Sequence, residues 1–184
     1  MFSGRSLGTV LAAFTLVPVA LGQNDPTEQF LGPEVGVFFP TSTKLKDRMG
    51  DSWVSFGFGR SQAVPGGKTR TAVDWTGFSK SSGGNKVFMG AVTFGAVLPL
   101  GETASEVVPY VAGRAGLSYI DYAINVTPAQ REGGKRLGYN ANAEIGVNIG
   151  KRVNLAVRYD VFPQYDGFRF DGLSITLKYG LTRF

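Results

Sequence analysis

The chain contains no cysteine and no histidine. Without thiols there is no disulfide and no thiolate metal site; without imidazole there is no His-ligated metal. A Ser-His-Asp triad is excluded, as is any general base that depends on imidazole. Acid–base chemistry would have to rest on carboxylates, with Asp74 and Glu144 as the nearest candidates, so no cofactor and no enzymatic activity are expected. A phosphate loop is missing too: Gly57-Phe58-Gly59 belongs to a strand-like stretch with no helix after it. Charged residues make up only 18%, and although the net charge is +5 the lysines and arginines are scattered, with no run of five or six. A nucleic-acid footprint would cluster them on one face, so no nucleic-acid partner is expected.

What is abundant is glycine, 26 in 184 residues, with 9 prolines. Long helices are disfavoured over most of such a chain. The length suits one domain. Hydrophobic residues reach 43% and mean hydropathy is +0.01. That balance fits a soluble domain, and it equally fits a membrane β-barrel, which needs apolar residues on only one face of each strand.

The one long apolar run opens the chain. Arg5 supplies a positive start, Leu7 to Ala20 is mostly apolar, and Ala20-Leu21-Gly22 places small residues where a signal peptidase reads. The run is short for a membrane span, and Pro18 interrupts it. Residues 1–22 are therefore expected to be a secretory signal peptide, and residues 23–184 the mature domain.

After Gln23 the apolar period is two. Between Lys135 and Gly150, Leu137, Tyr139, Ala141, Ala143, Ile145, Val147 and Ile149 alternate with Gly138, Asn140, Asn142, Glu144, Gly146 and Asn148. Similar alternation runs through Val153–Val161 and Leu173–Thr182, and more loosely through Leu31–Phe39, Trp53–Arg60, Thr69–Lys80 and Val107–Ala123. Lys86–Leu98 is apolar on both faces, one of them smaller (Ala91, Thr93, Gly95). Turn signals such as Ser82-Gly83-Gly84, Gly133-Gly134 and Asp166-Gly167 separate these runs. About eight strands joined by hairpins close most simply as an antiparallel up-and-down barrel. One helix is expected at Thr43–Met49, capped by Ser42 or Thr43 and ended by Gly50.

Alternation alone does not say which face points outward. The polar face decides it. A solvated exterior carries long charged side chains at most positions. Here that face holds Gly, Ala, Ser, Thr and Asn with single charges, which suits the narrow interior of an eight-stranded barrel. The apolar face carries Leu, Val, Ile and Phe, with Tyr119, Tyr139, Tyr159 and Tyr179 placed as interfacial girdles would require. The expectation is an all-β transmembrane barrel. A secreted soluble barrel of lipocalin type, binding a small hydrophobic ligand, is the alternative.

On these features the chain resembles the small outer-membrane barrel families of the OmpA-transmembrane-domain, OmpX and OmpW kind. The resemblance is architectural and covers nearly the whole mature chain. It implies an outer-membrane location, outer-membrane lipids as neighbours, and insertion by a machinery that reads an aromatic last residue, here Phe184. The phase breaks before that residue: Tyr179 and Leu181 are out of step with Phe184, and Arg183 sits where the apolar phase would continue. A terminal bulge would restore it.

Eight charged residues fall on the presumed interior face: Glu34, Arg70, Asp74, Arg114, Glu144, Arg158, Asp160 and Lys178. Charges in a narrow lumen must pair, since an unpaired buried charge is very costly. An ion-pair network filling the lumen is expected, with a narrow porin-like channel as the alternative. Basic residues of alternate connections, among them Lys44, Lys46, Arg48, Lys80, Lys86, Arg131, Lys135 and Arg136, are expected to meet anionic lipid headgroups.

Overall fold

The computed structural model describes residues 30–60, 70–100, 107–127, 130–150 and 152–183. The segment called as a signal peptide and the terminal Phe184 lie outside these residues.

Eight long strands form one closed sheet: β1 (Phe30–Pro40), β2 (Trp53–Arg60), β3 (Arg70–Ser82), β4 (Asn85–Pro99), β5 (Val107–Thr127), β6 (Gln130–Ile149), β7 (Val153–Val161) and β10 (Gly172–Tyr179). Each pairs antiparallel with its neighbour in sequence, and β10 closes on β1. The helix α1 (Thr43–Met49) lies between β1 and β2, and the two-residue strands β8 (Gln164–Tyr165) and β9 (Phe168–Arg169) form a small hairpin between β7 and β10.

Turn chemistry explains the tight connections. Gly83 and Gly84 both have positive φ, 55° and 79°, as do Asp166 and Gly167, 49° and 73°. Two successive residues in that region match the right-handed twist of hairpin strands. Helix α1 ends where Gly50 adopts φ 85° and donates its N–H to Lys46 O, as expected; Ser42 occupies the N-cap position but its side chain makes no cap bond.

The chain end contains the bulge that the broken phase calls for. Glu34 pairs with Lys178, yet Leu31, three residues back, pairs with Thr182, four residues on. The extra residue is absorbed between Tyr179 and β11 (Thr182–Arg183), where Gly180 donates its N–H to Arg152 O at 2.8 Å.

The outward face is apolar. Val35, Val54, Leu117, Leu137, Ile145, Leu155, Ile175 and Leu177 are all exposed, Leu117 and Leu137 by 75% and 82%. So many large apolar side chains around a whole circumference are incompatible with water as the surrounding solvent, and they suit hydrocarbon.

The interior is built in three layers along the strands. Nearest the chain termini, Ala72, Val97, Val108, Tyr110 and Ala112 pack together. Charged and amide side chains follow. Toward the loop end comes an aromatic layer that includes Phe38, Trp53, Phe78, Phe162, Phe168 and Phe170. This last layer departs from the expectation of a uniformly small and polar interior.

Candidate functional site

Seven of the eight interior charges expected from the sequence meet in one buried cluster. Around the lumen the signs alternate in a closed ring. Asp74 Oδ2 lies 2.7 Å from Arg114 Nε, and Arg114 Nη1 lies 3.0 Å from Glu144 Oε2. Glu144 Oε2 is 3.9 Å from Arg158 Nη1, the loosest link, and Arg158 Nη1 is 3.2 Å from Glu34 Oε1. Lys178 Nζ completes the circuit, 3.3 Å from Glu34 Oε2 and 3.1 Å from Asp74 Oδ1. The six residues come from β1, β3, β5, β6, β7 and β10, so the ring ties most of the circumference together.

Asp160 hangs on this ring. Its Oδ2 accepts from Arg158 Nε at 3.0 Å and from Ser174 Oγ at 3.2 Å, while Oδ1 accepts from Asn140 Nδ2 at 3.2 Å. Arg70, the eighth residue, begins β3 two positions before Ala72, in the phase of the interior residues. Its side chain lies outside the described residues.

An amide and phenol tier supports the ring from below. Tyr110 donates to Glu144 Oε1 at 2.6 Å, and Asn154 Nδ2 donates to Tyr110 Oη at 2.9 Å and to Asn148 Oδ1 at 2.6 Å. Arg114 Nη1 also donates to Asn142 Oδ1 at 3.3 Å, and Asn142 donates to Asn140. Buried ions gain net stability only when their remaining donors and acceptors are satisfied; Tyr110 does that for Glu144, and Asn140 and Ser174 do it for Asp160.

Above the ring the lumen turns apolar. Phe78 packs 4.5 Å from Phe38 and 5.9 Å from Phe162, and the Arg158 guanidinium lies 5.9 Å from the Phe78 ring. Helix α1 buries Leu45 and Met49 in this layer, and the β8–β9 hairpin brings in Phe168, with Phe170 just after it. Lys44 Nζ sits 4.3 Å over the Phe168 ring. Within that hairpin Arg169 donates two bonds to Asp171, at 3.1 and 2.7 Å, which hold its guanidinium above its ordinary pKa.

The four tyrosines lie on the outer face. Tyr139, Tyr159 and Tyr179 are exposed and Tyr119 is half-buried. Tyr179 pairs with Val153 beside the β6–β7 turn, whereas Tyr119 pairs with Leu137 well along the β5–β6 hairpin. Among the described residues no group of His, Cys, Asp or Glu is arranged to hold a metal ion.

Sequence reasoning missed the aromatic layer. The signal was present: toward the loop end apolar residues occupy both phases of a strand, as in Phe38-Phe39 and Tyr119-Ile120.

No family model and no curated protein sequence matches the chain. Solved structures do. Neisserial surface protein A superposes with a TM-score of 0.52 at 14% identity, over 84% of this chain and 97% of that one. The N-terminal β-barrel domain of Pseudomonas aeruginosa OprF gives 0.52 at 11% identity, over 84% and 98%. Ail of Yersinia pestis gives 0.48 at 13% identity, over 85% and 97%. The fold is that of the small outer-membrane barrels. At such identities the likeness concerns the backbone path alone, and what the lumen and loops do must be argued from this chain's own residues.

Proposed function

We propose that this chain is a non-enzymatic outer-membrane barrel with a structural or surface-interaction role, its lumen closed by side chains. The observation that carries this reading is the stacking of an alternating ion ring between two apolar layers. Ions crossing the lumen would have to break paired charges and then enter a dry aromatic layer, and both steps are costly. The absence of imidazole and thiol, with Asp74 and Glu144 each held by an arginine, supports a non-catalytic role.

The address follows from the same reading. The first 22 residues would be removed on export, and Phe184 would serve the insertion machinery. Outer-membrane lipids would surround the apolar face. The α1, β3–β4, β5–β6 and β8–β9 connections share one end of the barrel and carry the basic residues expected there, so anionic lipid headgroups are the natural neighbours of that end.

Refolded protein in planar bilayers tests the closed lumen. No discrete conductance is expected. Regular single-channel steps would replace this reading with the narrow channel. Stable monomeric solubility without detergent would replace it with the soluble ligand-binding barrel.

A further inference from the structure

We infer that the loop end of β5 and β6 acts as a strap that holds two inward-folded flaps, helix α1 and the β8–β9 hairpin, shut over the aromatic layer. This deepens the closed-lumen reading and rests on it, but it concerns how the cover is kept in place.

Neither flap is self-sufficient. Helix α1 has seven residues and no side-chain cap at its start, far too few to persist as an isolated helix. The hairpin consists of two strands of two residues each, below what holds together alone. Both depend on what they touch, and both are tied to the loop end of β5.

The first flap is tied at its C-terminal end. Arg48 Nη2 donates to Val126 O on β5 at 2.9 Å. Asn85 is a bracket: its Nδ2 donates to Arg48 O at 3.0 Å, while its Oδ1 accepts the Asn125 N–H of β5 at 2.8 Å. The second flap is tied by phenols. Tyr122 of β5 donates to the Asp166 carboxylate at the hairpin's turn, and Tyr165 of the hairpin donates to Leu137 O of β6 at 2.9 Å. Tyr122 also packs against Phe170, with ring centroids 5.3 Å apart. The flaps meet each other where Lys44 lies over Phe168.

The strap is well placed for this task. β6 pairs with β7 only from Ala141 onward, so the stretch from Gln130 to Asn140 is held on one side by β5 and is free of the β7 ladder. This stretch holds the hairpin directly through Leu137 O and reaches α1 through its ladder with β5, so a displacement of the paired β5–β6 end would pull on both flaps at once. Each flap opens on its own only against its apolar anchors, so the coupling between them should be visible as shared local opening.

Limited trypsin digestion of the folded full chain in detergent micelles reads this directly. Lys44, Lys46 and Arg48 report α1, and Arg169 reports the hairpin. Heat-modifiable gel migration first shows that each variant is folded. Tyr122→Phe removes a tie to the hairpin only; Asn85→Ala removes a tie to α1 only. Each variant should speed cleavage at both flaps, by up to about tenfold at the flap directly untied, as expected for losing one or two hydrogen bonds from a locally opening unit. If each variant loosens only its own flap, or if neither changes the cleavage rates, the flaps are independent and the strap is wrong. Channel activity of the parent protein would overturn the closed lumen without touching this result, so the two failures are distinguishable.

Discussion

Lys178 faces Glu34 in register across the seam where the last barrel strand meets the first, with Nζ 3.3 Å from Oε2. The same ammonium reaches Asp74 on β3, skipping β2 altogether. One side chain therefore pins the closure of the barrel and couples it to the next carboxylate of the ring. Closure of a sheet leaves no free edge in the ladder, and here a buried charge pair marks the register at which it closes.

Removing one member of the ring should be costly. Arg114 is paired with both Asp74 and Glu144, so Arg114→Leu leaves two buried carboxylates short of a partner. A loss of about 3–5 kcal/mol is expected. Adding Asp74→Leu to that variant should cost less than the sum of the two single changes, because Asp74 has by then already lost its Arg114 partner and keeps only Lys178. Urea titration of the refolded protein in lipid vesicles measures all three. Additive losses would mean that the two residues do not share an ion pair.

The outward face should reject charge. Ile145 is 59% exposed and pairs with Val157 at the middle of the β6–β7 ladder. Ile145→Arg should destabilise the barrel in bilayers by about 2–4 kcal/mol, the cost of an arginine near the hydrocarbon midplane. In a soluble barrel the same substitution at an exposed site would change stability by no more than about 0.5 kcal/mol. Folding titrations in vesicles separate the two values.

Much of this was legible because a strand has a period of two. Leu137 to Ile149 on one phase and Asn140, Asn142 and Glu144 on the other give the two faces of β6 without any tertiary knowledge. The helix at Thr43–Met49 was legible from the capping candidates Ser42 and Thr43 and from Gly50. Contacts that depend on register were not. Arg114 reaches Asp74 over β4, and nothing in either strand's own pattern says that their positions coincide. The aromatic layer was hidden for a related reason. Phe38, Phe78, Ile120 and Tyr122 share a phase with polar residues lower in the same strands, so period alone assigns them to a polar interior. Helix α1 and the hairpin supply Leu45, Met49, Phe168 and Phe170, and no strand pattern contains those.

The aromatic cover and the ion ring, two of the three interior layers, can be removed separately, which makes the closed lumen testable in parts. Replacing residues 43–49 with a Gly/Ser linker removes Leu45 and Met49 from the aromatic layer but leaves the ring intact. That variant should remain silent in planar bilayers. Adding Arg114→Ala and Asp74→Ala should create a leak, visible as conductance steps. A leak from the linker alone would place the barrier entirely in the cover and leave the ring as a structural brace.

The basic residues of the loop end are not equivalent, and the structure selects which ones to test. Arg48 already donates to Val126 O, Lys80 to Ser52 O, and Lys44 lies over Phe168. Neutralising those would disturb the cover as well as the charge. Lys86, Arg131 and Lys135 are exposed and placed around the β3–β4 and β5–β6 connections; Arg131 donates to Gly84 O at 3.4 Å, a contact with the β3–β4 turn and not with either flap. Near an anionic surface each contributes about 1 kcal/mol, within a screening length of about 10 Å at 0.1 M salt. The triple change Lys86→Gln, Arg131→Gln and Lys135→Gln should therefore lose most of the preference for anionic over zwitterionic vesicles at low salt. The parent should lose the same preference when salt is raised, while the folded stability of both proteins stays close. Insertion assays across vesicle composition and salt provide the comparison. An unchanged lipid preference in the triple variant would mean that these charges serve only to keep the loops solvated.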